Sequence, residues 1–383
     1  MFTIRHEPES GYTFLSLFSG AGGLDLGFEM AGFAHTESSD IMSCAVKTMK
    51  HNRPDWRVLN CDVREYSPKL RGDVDVLLAG FPCQGFSLGG NREEGDVRNL
   101  LYKEVVRIAK EIQPRIIVME NVLNLRTMRH PITRKPFAQQ IAEELSEIGY
   151  TTNYDFFRVS RFGVPQTRRR FIFIAYKDDS MRHFRFPNPT EETSIRSFLF
   201  DLGQGGGIGL PNHDPQWGFD SYVHSEKGGV FDGTSISLPV RLSRTASEGN
   251  PLRNFDRPFP AIDTATVWGW ANGNIKTSRI EKNREDESAM FVRNPKSHAR
   301  LWRISANHIR AFTIREYARL QTFPDDWVFC GNTKRELQLQ VGNAVPVLFA
   351  KKIAEQVLFA LEIADGKRRC EMPSSEQMMF SGF

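Results

Sequence analysis

Several short stretches of this 383-residue chain end an apolar run on a side chain that can do chemistry. In LAGFPCQGFSLGGNREEGDVRNLL, Leu78 to Leu101, Cys83 follows Pro82 where the apolar run stops and a long polar, glycine-rich stretch begins. A thiol at such a strand-to-loop junction, where function collects in open α/β sheets, points to a nucleophile; the competing reading is a buried structural cysteine. Glu120 and Asn121 close RIIVMEN. A carboxylate at the end of an apolar strand is partly desolvated, which raises its pKa and lets it share a proton with a substrate nitrogen, unless it is only a helix cap. FGVPQTRRRFIFIAY sets Arg168 and Arg170 two apart entering a strand, so both should point the same way; a solvated basic edge is the alternative.

The glycines of FLSLFSGAGGLDLGFEMAGF form a further constellation. Gly20, Gly22 and Gly23 come off a strand and open a helix, which lets backbone approach a nucleotide-like ligand, or simply makes a tight packing turn. Asp25 stands where a dinucleotide fingerprint would want a small residue, which disfavours NAD. Asp40, about twenty residues past the glycines, is placed to accept from ribose hydroxyls, and Asp62 could accept from an adenine amino group; each could equally cap a helix.

The elements needed to position these residues are legible. Apolar runs at Tyr12 to Phe18, Trp56 to Cys61, Val74 to Ala79, Arg115 to Glu120 and Arg170 to Tyr176 predict strands. Helical spacing of Leu101, Val105, Ile108, Ala109 and Ile112, and of Phe137, Ile141, Leu145 and Ile148, predicts helices between them. This is an α/β pattern with a mostly parallel sheet, spanning residues 11–186. From Pro187 to Ile309 (187–309) proline, glycine and polar residues dominate, with no long helix, and a loop-rich, β-leaning module is expected. Helical periodicity returns over 310–364, where Ile353, Ala354, Val357, Leu358 and Leu361 share a face that should pack back on the first unit; 365–383 reads as a tail.

Composition narrows the class. With 40% hydrophobic residues the chain can bury a sizeable core, and its apolar runs fall short of the roughly 18 residues that cross a bilayer. No signal pattern opens the sequence, so a cytoplasmic protein without membrane association is expected. Cys44, Cys61, Cys83, Cys330 and Cys370 are odd in number and never in ligand spacing, which argues against disulfides and against a metal site. The net charge of +4 is mild, but arginine and lysine crowd between Arg241 and Arg310, interrupted by Trp268, Trp270 and His298.

SLFSGAGG, GFPCQGFS, ENV, QTRRR, TIREYARLQTFPDDW and QVGNAVP follow one another in this order, and together they resemble the DNA cytosine-5 methyltransferases of bacteria. The resemblance runs from Phe14 to Phe359 apart from the middle module. It implies a Rossmann-like, S-adenosylmethionine-dependent methyltransferase sheet with helices on both faces, plus a smaller target-recognition domain. Carried over residue by residue, Phe18, Gly20, Gly22, Gly23, Asp40, Ile41, Asp62, Val63, Leu100, Asn343 and Val345 would line the S-adenosylmethionine site. Pro82, Cys83, Glu120, Arg168 and Arg170 would form the catalytic site, and no metal is needed. Cys83 would add to carbon 6 of cytosine, Glu120 would bond ring nitrogen 3 and the amine, and Arg168 would hold the carbonyl oxygen at position 2.

The same resemblance implies that the base is flipped out of duplex DNA and that the stretch after Cys83 closes over it, with Ser87 and Arg98 on phosphates. Arg253 and Arg257 would read guanine edges. The implied partners are double-stranded DNA and a separately encoded restriction endonuclease, with the enzyme acting as a monomer near the nucleoid. One departure is Ser16, where the family more often has aspartate. A transfer-RNA cytosine-5 methyltransferase shares these motifs but has a shorter middle module. A catalytically silent DNA-binding regulator is disfavoured by Pro82, Cys83, Glu120 and Arg168.

Overall fold

A strand that is apolar on both faces is stable only between two covering layers. The computed structural model describes residues 2–3, 6–7, 9–70, 74–82, 100–177, 184–215, 237–241, 253–262, 264, 267–272, 276–280, 301–305 and 308–368. Its first half alternates β1 (Thr13–Leu17), α1 (Gly23–Met30), β2 (Ala34–Asp40), α2 (Ser43–Asn52), β3 (Val58–Asn60), β4 (Val76–Ala79), α3 (Tyr102–Ile112), β5 (Ile116–Asn121), α4 (Phe137–Glu147), β6 (Thr151–Arg158) and β7 (Arg169–Tyr176). The strands form one seven-stranded sheet in the order β3-β2-β1-β4-β5-β7-β6. All pairings from β3 to β5 are parallel, and β7 is antiparallel to both neighbours.

Strand periodicity divides the core. Phe14, Val76, Leu78, Ile116, Val118, Ile172 and Ile174 face one side of the sheet; Leu15, Leu17, Leu77, Ala79, Ile117, Met119, Phe171 and Phe173 face the other. The second side is covered by Val105, Ile108 and Ile112 of α3 and Phe137, Ile141 and Leu145 of α4.

The chain continues through α5 (Arg196–Gly203), β8 (Leu238–Arg241), β9 (Trp268–Asn272), β10 (Lys276–Ile280), β11 (Leu301–Ser305) and β12 (His308–Ala311). It then forms α6 (Ile314–Leu320), α7 (Lys334–Asn343) and α8 (Val347–Ala364). Strands β12-β9-β8 make a small antiparallel sheet, and β10 pairs with β11. α5 and the small sheet bury Ile195, Phe198, Phe259, Trp268 and Trp270 against Ala21, Leu26 and Met30 near α1 and against Tyr317, Trp327 and Val347.

α8 covers the first face of the sheet with Phe349, Ile353, Val357 and Leu361, each burial contributing roughly 1.5–3 kcal/mol. It lies so close to α1 that a Cβ added at Gly27 would come within 2.4 Å of the Ala350 Cβ and 2.7 Å of the Lys351 amide nitrogen. Gly27→Ala should therefore lower stability by roughly 1–3 kcal/mol through overpacking, outweighing the gain of about 1 kcal/mol in helix propensity. The measurement is the urea unfolding midpoint; a rise would show that the two helices are not held this tightly.

Candidate active site

The carboxyl ends of β1, β2 and β3 lie side by side. β1 runs into a turn in which Phe18 (φ 55°), Gly20 (φ 55°) and Gly22 (φ 81°) all take left-handed backbone, and α1 starts directly after it. Asp40 closes β2 and accepts from the Gly20 amide at 2.8 Å and from the Met42 amide at 2.7 Å. Burial pushes the Asp40 carboxyl above the usual carboxylate range, while these two amides pull it back. Asn60 at the end of β3 donates to the carbonyls of Asp40 and Ile41, each at 3.0 Å, and Ile41 is held 70% exposed as an apolar ledge. Asp62 follows, its carboxylate taken by the Arg64 side chain and amide and lowered to about 2 by those hydrogen bonds.

Phe18, Gly20, Asp40, Ile41 and Asp62 thus share one edge. Val63 is buried beneath it, and Leu100 packs on the same core cluster as Phe18. Gly22 and Gly23 are also points of close packing. A Cβ at Gly23 would meet the Val345 carbonyl oxygen at 2.3 Å, and one at Gly22 would meet Met49 and Trp327, so these glycines permit packing, whereas Gly20 faces open space. Asn343 is exposed at the end of α7, and Val345 is buried in the loop pressed against Gly23.

β4 lies between β1 and β5, so the chain leaves it at Pro82 with the glycine turn on one side and Glu120 on the other. Cys83, Ser87 and Arg98 lie outside the described residues. Glu120 is buried near the end of β5, and the Asn121 amide donates to the Phe81 carbonyl at 3.3 Å, tying the ends of β4 and β5 together. Glu120 pairs across the sheet with Ile172, so Arg170, two residues earlier on β7, shares its face and its guanidinium contacts the Glu120 carboxylate. Burial still pushes the Glu120 carboxyl upward, with Arg170 opposing.

Arg168 does something else. The expected shared direction fails because Arg168 precedes β7; its side chain turns inward and donates to the Ile262 carbonyl at 3.0 Å and the Gly342 carbonyl at 2.8 Å. The arginine facing Glu120 is Arg170, and Arg168 joins the middle segment to α7. Gln166, which sequence reasoning passed over, is fully buried and donates to the Leu320 carbonyl and to Gln321, whose own amide donates to the carbonyls of Val341 and Ala344.

A family model described as C-5 cytosine-specific DNA methylase matches residues 12–358. The chain belongs to this family. The enzyme is 34% identical to the Type II methyltransferase M1.HphI of Haemophilus parahaemolyticus, over 90% of this chain and 86% of that one. It is 32% identical to the Type II methyltransferase M.Eco47II of Escherichia coli, over 92% and 80%. In fold it is similar to the Entamoeba histolytica methyltransferase EhMeth, with TM-score 0.57 and 16% identity over 95% of this chain and all of that one (100%). The Spodoptera frugiperda DNMT2 structure gives 0.55 and 18% over 92% and 99%. It is a DNA (cytosine-5-)-methyltransferase.

In the methyltransferase's middle segment, Trp268 and Trp270 are fully buried rather than presented to a ligand. The Trp270 indole donates to Glu316 at 2.8 Å, and Arg310 is ion-paired with the same carboxylate at 2.6 Å, joining β9 and β12 to the capping box of α6. The Arg253 guanidinium lies 5.2 Å from the Trp268 ring centroid, a stacking position, while Arg257 is exposed. No helix among the described residues is long and apolar enough to cross a membrane, and no group of His, Cys, Asp or Glu there is arranged to hold a metal.

The two arginines should separate in experiment. Arg168→Ala leaves two buried carbonyls without their charged donor and should lower stability by roughly 2–4 kcal/mol. Arg170→Ala should abolish methyl transfer with a smaller loss of stability. Urea unfolding and a methyl-transfer assay on both variants check this; equal loss of stability would refute the division.

Proposed function

We propose that the enzyme transfers a methyl group from S-adenosylmethionine to carbon 5 of a cytosine flipped out of a specific duplex sequence, with Cys83 as covalent catalyst. The observation that carries this reading is the buried Glu120–Arg170 pair, one strand away from the β4 exit at Pro82 and two from the Gly20–Asp40 edge. The open space at Gly20, the exposed Ile41 and the Asp40 and Asp62 carboxylates fit an adenosine, with an apolar ledge for its base and acceptors for hydroxyl and amino hydrogens. When bound, the donor supplies an electrophilic sulfonium methyl.

The chain's own residues account for the rest. Carbon 5 of cytosine is a poor nucleophile until a thiolate adds at carbon 6. Cys83, directly after Pro82, supplies that thiolate and leaves again once carbon 5 has lost its proton. Glu120, its carboxyl raised by burial, holds a proton at ring nitrogen 3 and accepts from the exocyclic amine. Arg170 takes the role at the position-2 carbonyl first expected of Arg168, since it is the guanidinium on Glu120's face. Residues 187–309 read the target sequence, with exposed Arg257 the better placed of the two arginines named above to reach DNA. The Type II relatives support a role beside a cognate restriction endonuclease.

With labelled S-adenosylmethionine, duplex DNA should be methylated and transfer RNA should not, and bisulfite sequencing should place the mark at one cytosine of one sequence. Cys83→Ser should abolish transfer while leaving donor affinity within about twofold, since on this reading the thiol bonds the base and not the donor; substantial turnover would rule out the covalent route. Glu120 acts in its protonated form, so the single-turnover rate should decline as pH rises through its elevated pKa. Glu120→Gln should be slow and lack that decline, whereas a pH profile like that of the unmodified enzyme would remove Glu120 from proton transfer.

A further inference from the structure

A carboxylate that is fully buried and held by hydroxyls rather than a cation is costly to keep. Asp25, on the first turn of α1, is 0% exposed and is such a group. Its Oδ2 accepts from the Ser16 hydroxyl of β1 at 3.1 Å and its Oδ1 from the Ser38 hydroxyl of β2 at 2.6 Å. The Ser19 hydroxyl donates to Ser16 at 2.9 Å, and His35 Nε2 lies 2.7 Å from the Ser38 oxygen.

Each serine has a single hydrogen, and Ser16 and Ser38 give theirs to Asp25; the Ser19 hydroxyl reaches the Ser16 hydroxyl at 2.9 Å and the Ser16 carbonyl at 3.3 Å, and Ser38 receives from His35 when the ring is the Nε2–H tautomer. The hydroxyl hydrogens of β1 and β2 thus converge on the carboxyl group of Asp25. Burial pushes the Asp25 carboxyl up to about 6, with the serine hydroxyls pulling it back, and holds His35 down to about 4. An amide in place of the carboxylate would present its own hydrogens to Ser16 or Ser38 and force part of the chain to reverse.

The elements tied in this way are those that form the donor edge. Ser16 and Ser19 flank Phe18, the Ser19 amide donates to the Ser39 carbonyl at 3.1 Å, the Gly22 amide donates to the Ser19 carbonyl at 2.9 Å, and Ser38 is two residues before Asp40. We infer that Asp25 is the positioning residue of the donor site: from α1 its carboxylate fastens β1 and β2 together and sets the turn at residues 18–22 against Asp40. It touches no reacting atom. Because Ser16 and Asp25 meet face to face, a carboxylate carried on β1 would reach the same place.

The inference rests on the donor reading proposed above, and the experiment keeps the two apart. Calorimetry with S-adenosylmethionine, urea unfolding and steady-state kinetics on duplex DNA are applied to the unmodified enzyme, to Asp25→Asn, to Asp25→Ser and to the double variant Ser16→Asp/Asp25→Ser. Asp25→Asn should weaken donor binding and raise the donor KM about tenfold or more, with kcat at saturating donor changed by less than about twofold. Asp25→Ser should weaken binding at least as much, and the double variant should return to within about threefold of the unmodified enzyme. Absence of binding by the unmodified enzyme would overturn the donor reading and this inference with it. If the unmodified enzyme binds and Asp25→Asn binds equally well, or the double variant is no better than Asp25→Ser, the inference alone fails. Should Asp25→Ser not fold, a folded double variant with near-normal affinity supports it, and an unfolded one overturns it.

Discussion

The contact between α1 and the segment returning through α7 and α8 is the constraint on which the rest of the enzyme depends. The Val345 carbonyl fills the space beside Gly23, and Ala350 and Lys351 fill the space beside Gly27, so α1 has helix and loop backbone where side chains would otherwise stand. This approach orients the start of α1, and with it the turn that meets Asp40. The same returning segment offers the Gly342 carbonyl to Arg168, whose other partner is the Ile262 carbonyl of the middle segment. One close approach thereby ties together the sheet, the glycine turn beside Asp40 and the middle segment.

Buried charges in the molecule divide into architectural and chemical ones. Arg319 is bonded to Asp325 and Asp201 and to the Phe198 carbonyl, and Arg315 to the carbonyls of Pro211, Pro324 and Trp327. These arginines hold loops by satisfying carbonyls, and desolvation pulls Arg315 down to about 10 because carbonyl dipoles compensate it less than a carboxylate would. Glu120 and Arg170 stand apart. They lie where two strands end, and burial outweighs their mutual attraction enough to raise the carboxyl.

Much of the fold was legible in the sequence because apolar strands and amphipathic helices follow from periodicity, and the places of Gly20 and Glu120 follow from the ends of those strands. β2 was not, since AHTESSD carries no apolar run; its buried residues are Glu37, Ser38 and Ser39, made stable by hydrogen bonds that only the fold brings together. The different partners of Arg168 and Arg170 were not legible, because two-residue alternation holds inside a strand and Arg168 lies before one. Trp268 and Trp270 interrupt an arginine- and lysine-rich run in the sequence, yet β9 is buried at every position, and composition cannot tell a core aromatic from a presented one. The glycines at 22 and 23 were legible as a turn that admits a ligand or close packing, but nothing local reveals that Trp327 and Val345, more than three hundred positions away, press against them.

That long separation also bears on how the chain is made. The apolar face formed by Phe14, Leu24 and Phe28 leaves the ribosome more than three hundred residues before its cover, Phe349 to Leu361. At roughly 5–20 residues per second, the nascent first half waits from about a quarter of a minute to a minute with that face open. Sequence neighbours such as Phe33 cover that surface only in part, and its full native burial waits for α8. Substitutions in α8 should accordingly reduce the yield of soluble enzyme more than their effect on the finished protein's stability would suggest.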